Sequence, residues 1–125
     1  VTRDITVVFL MKSGGILVID IFAELYQTVL ERKSEKQENS YTCYLFGQGI
    51  DKILKKCGEE CSEVIIAAKN GRNSDTVMEI SDLLYHLTVL MAEEGIKPED
   101  VEKELARRSQ KTGNLKAFHQ VDRNT

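Results

Sequence analysis

Two acidic clusters carry the chemistry of this chain. The first is Gly58-Glu59-Glu60-Cys61-Ser62-Glu63, and the second is Glu79-Ile80-Ser81-Asp82. On a helix, residues three or four apart share a face, so Glu60 projects with Glu63, and Glu79 with Asp82. If the two helices run antiparallel, as the short Gly71–Ser74 connection suggests, four carboxylates converge. Such a group repels itself unless cations lie among its oxygens. Hard carboxylate ligands of this kind suit Mg²⁺ or Mn²⁺. Mg²⁺ seldom fills its coordination shell from protein alone; it keeps waters and takes phosphate oxygens. The expected substrate class is therefore a nucleotide or another polyphosphate.

The flanking residues sharpen this expectation. At about 100° per residue, Lys52, Lys56, Glu60 and Glu63 fall on one flank of their helix, beside its apolar stripe. Lysines one to two turns before a metal cluster can hold phosphate oxygens. Asp82 and His86 lie in the largely apolar run from Ile80 to Ala92. Burying an acid there without a partner would cost several kcal/mol, and a metal partner would explain its position. The blander reading treats the glutamates as a solvated face paired with lysines. It also makes Lys52 and Lys56 plain surface charges and His86 a hydrogen-bonded core residue. Arg107, Arg108 and Lys111 cluster near a helix C-terminus, where the dipole alone favours cations.

The elements that position these groups are helical from residue 20 onward. Asp20 is placed to cap a helix containing Ile21, Phe22, Leu25, Val29 and Leu30. The polar run Glu31–Asn39 reads as a loop, and Ser40 as the cap of a short element over Tyr41–Phe46. A long helix over Ile50–Asn70 carries the stripe Ile50, Ile53, Leu54, Cys57, Cys61, Val64, Ile65 and Ala68. Asn70-Gly71 stops it. Ser74 is the candidate cap for a helix over Asp75–Glu93, which Gly95 ends. Pro98 opens a last helix to about Ser109, with Val101 and Leu105 expected to face inward. Residues 1–19 differ in character: Ile5–Met11 and Ile16–Ile19 are apolar runs around Ser13-Gly14-Gly15, which reads as a hairpin or two short strands. A secretory signal fits poorly, since the apolar stretch is short and no A-x-A site follows. Met11 as a natural start, with upstream sequence before it, is the other reading. The whole is an all-α chain of four or five helices with an extended N-terminal segment.

Composition narrows the function classes. The chain has 125 residues, the length of one domain. Its net charge is −3 and it has no Trp, which argues against a general nucleic-acid binder and a base-stacking platform. No apolar run is long enough for a transmembrane helix. The three cysteines, Cys43, Cys57 and Cys61, lack C-x-x-C spacing and read as reduced core residues of a cytoplasmic protein.

The pattern E-E-x-x-E (Glu59, Glu60, Glu63) followed by E-x-x-D (Glu79, Asp82) resembles the signature of the all-α nucleoside triphosphate pyrophosphohydrolases, the MazG and dimeric dUTPase group. Within that group the chain is similar to the phosphoribosyl-ATP pyrophosphohydrolases of histidine biosynthesis. The matching stretches are Ser40-Tyr41-Thr42, the Gly49–Lys56 segment with both lysines, Gly58-Glu59-Glu60, Ile66-Ala67-Ala68, Asp82-Leu83-Leu84-Tyr85-His86-Leu87, and the Pro98–Arg108 helix. The likeness covers about residues 20–110, leaving 1–19 as an extension and 111–125 as a tail. Some members of the family follow a cyclohydrolase domain, and no motif of that partner stands in this sequence. The resemblance implies cleavage of phosphoribosyl-ATP between its α and β phosphates, giving phosphoribosyl-AMP and pyrophosphate. It implies a homodimeric helical bundle and Mg²⁺ (Mn²⁺ in its place) held by Glu60, Glu63, Glu79 and Asp82. It also implies a water at the ion, or one oriented by Glu59, attacking in line, with Glu59, Glu60 and Glu63 as the catalytic acids and Lys52 and Lys56 neutralising the leaving pyrophosphate. Partners other than substrate and a second copy, such as nucleic acid or membrane, are not expected.

Two rivals make different predictions. One is a dUTP- or MazG-type pyrophosphohydrolase with the same metal site and another nucleotide. The other is a non-catalytic helical dimer that releases no pyrophosphate. A di-iron bundle wants Glu-x-x-His on two helices, and the residues three after Glu60 and Glu79 are Glu63 and Asp82.

Overall fold

The computed structural model of the chain describes residues 10–12, 15–17, 20–111 and 113. Two three-residue strands, β1 (Leu10–Lys12) and β2 (Gly15–Leu17), pair antiparallel with Leu10 opposite Leu17. These strands overlap the two apolar runs expected to form a hairpin or two short strands; the rest of residues 1–19 and most of the 111–125 tail lie outside the described residues. Five helices follow: α1 (Ile21–Ser34), α2 (Tyr41–Gln48), α3 (Ile50–Lys69), α4 (Asn73–Glu94) and α5 (Pro98–Ser109). The described domain is all-α apart from that hairpin.

The cap residues act largely as their types dictate. The Asp20 carboxylate accepts from the N–H groups of Phe22 and Ala23 at 3.0 and 3.2 Å, satisfying donors the first helical turn leaves free. Ser40 Oγ accepts from the Cys43 N–H at 3.2 Å. Gly95 ends α4 at φ 71°, a left-handed conformation that a side chain would disfavour. Two boundaries differ from expectation. Helix α1 continues through Ser34 rather than giving way to loop at Glu31. Glu, Arg and Lys are good helix formers, Arg32 and Lys33 suit the C-terminal dipole, and Lys33 Nζ donates to the Ala92 carbonyl at 3.1 Å, tying this last turn to α4. Helix α4 starts at Asn73 without a side-chain cap, so Ser74 lies inside it.

The core is a single cluster of Val29, Leu45, Ile53, Cys57, Val89 and Ala92, to which α1, α2, α3 and α4 all contribute. It sits toward the C-terminal half of α4 and the N-terminal half of α3. The rest of α3 and α4 forms a two-helix hairpin, its turn made at Asn70 and Gly71 (φ 74°). Along that hairpin one chain covers only one side of each helix. Of the expected α3 stripe, Ile53 and Cys57 are buried, but Leu54, Cys61, Ile65 and Ala68 are exposed and Ala67 is buried instead. Of the three cysteines read as core residues only Cys57 is buried in the core; Cys43 is half-buried, Cys61 is exposed, and all three are free. Val101 and Leu105 are also exposed rather than inward-facing, because the buried residue of α5 is Pro98. On α4, Val77, Met78, Ile80, Leu84 and Leu87 all reach solvent, the first two more than 60% exposed. No helix among the described residues is long and apolar enough to cross a membrane.

Candidate active site

The α3–α4 hairpin brings the two acidic motifs face to face. One carboxylate oxygen each from Glu60, Glu79 and Asp82 lies within 4.8 Å of the others, a spacing that could hold a metal ion. Glu60 is buried, 6% exposed. Its Oε2 and that of Glu79 are shut off from solvent with no hydrogen-bond partner. Two partnerless buried acceptors at the meeting point of three acids fit a cation of hard-ligand preference, since burial of unmatched carboxylate oxygens is otherwise costly. Glu63 stands outside the triplet, exposed on α3, with its carboxyl against both Glu60 and Glu79. Three of the four expected ligands thus converge and the fourth flanks them.

The electrostatics follow from this crowding. Burial first, then contact with the Glu63 carboxyl and the charges of Glu63 and Asp82, push Glu60 up to about 7; Lys56 opposes the rise. Glu79 is raised chiefly by contact with Glu63, then by burial. Like charges cannot all ionise at this spacing without a counter-charge. Lys56 supplies part of it, its Nζ lying 3.0 Å from Glu59 and 3.7 Å from Glu60. Its hydrogen bond to Glu59 holds the ammonium above its ordinary value and the Glu59 carboxyl below its own. Lys52, half-buried one turn earlier, makes no ion pair among the described residues.

His86 is a buried, hydrogen-bonded residue that does not join the acidic triplet. Its Nδ1 lies 2.7 Å from the Asp82 carbonyl oxygen, which can only accept, so Nδ1 carries the proton. Nε2 then accepts from the Tyr41 hydroxyl, 3.0 Å away. Burial, the largest influence, lowers the imidazole and keeps it neutral, which this tautomer requires. Beside it, Tyr85 and Thr42 share a hydroxyl–hydroxyl hydrogen bond. These links clamp α2 to the turn of α4 that carries Asp82. Tyr41, Thr42 and Tyr85 are site-supporting residues that helix periodicity does not reveal, because their partners are 43 to 45 residues away in sequence.

Residues 22–109 match a family profile described as Phosphoribosyl-ATP pyrophosphohydrolase. The chain belongs to the phosphoribosyl-ATP pyrophosphohydrolase family. Among its relatives in that family is the phosphoribosyl-ATP pyrophosphatase of Clostridium novyi, 54% identical over 98 residues, 78% of this chain and 89% of that protein. The phosphoribosyl-ATP pyrophosphatase of Pelotomaculum thermopropionicum is 56% identical over 92 residues, 74% of this chain and 94% of that protein. A third relative, the histidine biosynthesis bifunctional protein HisIE of Lactococcus lactis, is 54% identical over 100 residues, which span 47% of its own length. The family match runs from the second residue of α1 to the end of α5 and holds both acidic motifs, so the converging carboxylates belong to the shared domain, and the protein is an enzyme of the hydrolase class.

Proposed function

We propose that this family member hydrolyses phosphoribosyl-ATP to phosphoribosyl-AMP and pyrophosphate in histidine biosynthesis, using Mg²⁺, or Mn²⁺ in its place, held by Glu60, Glu63, Glu79 and Asp82. The observation that carries the reading is the set of three carboxylate oxygens within 4.8 Å, two of the acids having a buried, partnerless oxygen. A divalent cation bound there supplies Lewis-acid polarisation of phosphoryl oxygens and offsets their charge.

The chain's own groups supply the rest. Glu59 is exposed at the edge of the cluster and held ionised by Lys56. A carboxylate with a depressed pKa is a weak base, so Glu59 orients the attacking water in line with the leaving pyrophosphate more than it strips a proton from it. Lys56 stays cationic across physiological pH and neutralises charge on the departing phosphates. Lys52, one turn away and without an ion pair among the described residues, is available to the same phosphates. His86 and Tyr41 fix the pitch of α4 at Asp82.

The proposed active unit is a homodimer in the cytoplasm, where free cysteines stay reduced. Support for the dimer comes from the apolar side chains left in solvent along the α3–α4 hairpin: Ile65, Ile66, Val77, Met78, Ile80 and Leu84. Light scattering is expected to give twice the 14.2 kDa chain mass, and Met78→Glu with Ile80→Glu to give monomers. A wild-type monomer at micromolar concentration would overturn the dimer.

The substrate assignment is tested by a panel of phosphoribosyl-ATP, ATP and dUTP. Preference for phosphoribosyl-ATP by at least tenfold in kcat/KM is expected. Preference for dUTP or ATP would keep the acidic site and discard the histidine-pathway reading.

A further inference from the structure

A second feature lies about three turns along α4 from the acidic triplet. There an open cavity of about 720 Å³ is bounded by Arg32 and Lys33 at the end of α1, Lys36 and Asn39 in the loop after it, Tyr44 of α2, and Glu93 of α4. That volume is within the usual range of small-molecule sites. Three cations face one carboxylate across it. Lys33 is engaged with the Ala92 carbonyl and lies over the Phe46 ring. Arg32 and Lys36 have no carboxylate within 4.0 Å among the described residues, and their side chains make no hydrogen bond there. The dipole of α1 accounts for Arg32 and Lys33. It does not account for Lys36, which lies beyond the helix, nor for two unpaired cations at the rim of one cavity. The Cys43 thiol on its wall senses the same field: hydrogen bonds from the Gln37 N–H and Ser40, then the charges of Arg32 and Lys36, hold it below its ordinary value.

Between cavity and acids stands an aromatic step. The Tyr44 ring, 47% exposed, stacks on Tyr41 with centroids 6.0 Å apart and planes at 26°. Tyr41 in turn bonds His86 and lies in the field of Lys56 and Glu60. Asp82 and Glu93, at the two ends, are about 16 Å apart along α4 at 1.5 Å per residue. The order along the surface is therefore acids, aromatic rings, cations.

We infer that the cavity at Arg32 and Lys36 binds the phosphomonoester end of the substrate, the phosphate on the ribose that is not part of the triphosphate. The inference rests on phosphoribosyl-ATP being the substrate, which carries phosphate at both ends with an adenine between. The triphosphate lies at the acids, the base over Tyr44, and the ribosyl phosphate against the Arg32 guanidinium, whose fork suits phosphate oxygens. The site would thus select against nucleotides that lack the second phosphate.

The test is kinetics of the full chain with Mg²⁺, comparing wild type, the double variant Arg32→Gln/Lys36→Gln, and the charge-keeping Arg32→Lys. Because neither side chain has a partner among the described residues, the double variant is expected to fold, with circular dichroism as the check. KM for phosphoribosyl-ATP should rise at least tenfold in the double variant, with kcat within threefold, and Arg32→Lys should fall between the two. Ribose 5-phosphate should compete with phosphoribosyl-ATP in wild type, and its calorimetric binding should weaken at least tenfold in the double variant, while ribose does neither. An unchanged KM, or ribose 5-phosphate that binds without competing, would overturn the inference. If wild type releases no pyrophosphate from phosphoribosyl-ATP, the substrate reading fails; ribose 5-phosphate binding that is equal in wild type and double variant then overturns the cavity assignment separately.

Discussion

Replacing Asp82 by alanine is expected to lower kcat/KM for phosphoribosyl-ATP by at least about 10³-fold, about 4 kcal/mol of transition-state stabilisation. Asp82 gives one of three oxygens that meet within 4.8 Å, and its side chain makes no hydrogen bond among the described residues that would be lost with it. Only its backbone carbonyl serves the fold, as the acceptor for His86 Nδ1–H, and alanine keeps that carbonyl. The variant should therefore retain wild-type helicity by circular dichroism, and without the cation it should melt no lower, since one of several crowded negative charges is gone. Glu63→Ala should also be severely impaired, because Glu63 touches both Glu60 and Glu79. Turnover of Asp82→Ala within tenfold of wild type would remove the acidic triplet from the chemistry.

The second large effect concerns Glu60 and pH. Its carboxyl is raised from an ordinary 4.5 to about 7, so between those values the folded chain binds a proton that the unfolded chain has released. Stability of the cation-free protein from this group is present below about pH 4.5 and is lost as pH rises through about 7, at a cost of about a few kcal/mol shared with its neighbours. Glu60→Gln is neutral throughout. With a chelator at pH 8 it should melt above wild type by roughly 5 °C, and at pH 5, where Glu60 is mostly protonated, the difference should shrink toward zero. Added Mg²⁺ at pH 8 should raise the melting temperature of wild type and not of the variant, and the benefit should fade as pH drops below about 7, because protons and cation compete for one carboxylate. Calorimetry at pH 5 and 8, with and without Mg²⁺, reads all of this. A cation-free Glu60→Gln that melts below wild type at pH 8 would mean that the glutamate is a favourable structural acid rather than a strained one.

Much of this arrangement is legible in local sequence. Asp20 and Ser40 announce helix starts because a short polar side chain competes for the first free N–H groups, and both do so here. Gly95 and Gly71 mark ends because each adopts positive φ. Glu60 with Glu63 and Glu79 with Asp82 share faces by helical spacing, and the short turn at Asn70–Arg72 makes the two pairs meet. What local pattern misses depends on what covers a face. Ile65, Val101 and Leu105 have the spacing of core residues, yet a single chain leaves them in solvent, since periodicity marks which face is apolar and not what lies against it. The extra turn of α1 rests on a bond from Lys33 to Ala92, 59 residues away, which no window of local sequence contains. Tyr41 is invisible as a support for His86 for the same reason. The division between Glu63 and the other three acids is likewise a matter of helix packing, not of spacing.

The central claim is that the carboxylates of α3 and α4 hold a divalent cation required to release pyrophosphate from phosphoribosyl-ATP. The most direct test is a time course of pyrophosphate release by the purified chain, with Mg²⁺ and with excess chelator, beside Asp82→Ala under the same conditions. Release with Mg²⁺ is expected, falling to background with chelator and with the variant. Equal release in the presence of chelator, or by Asp82→Ala, would contradict the account.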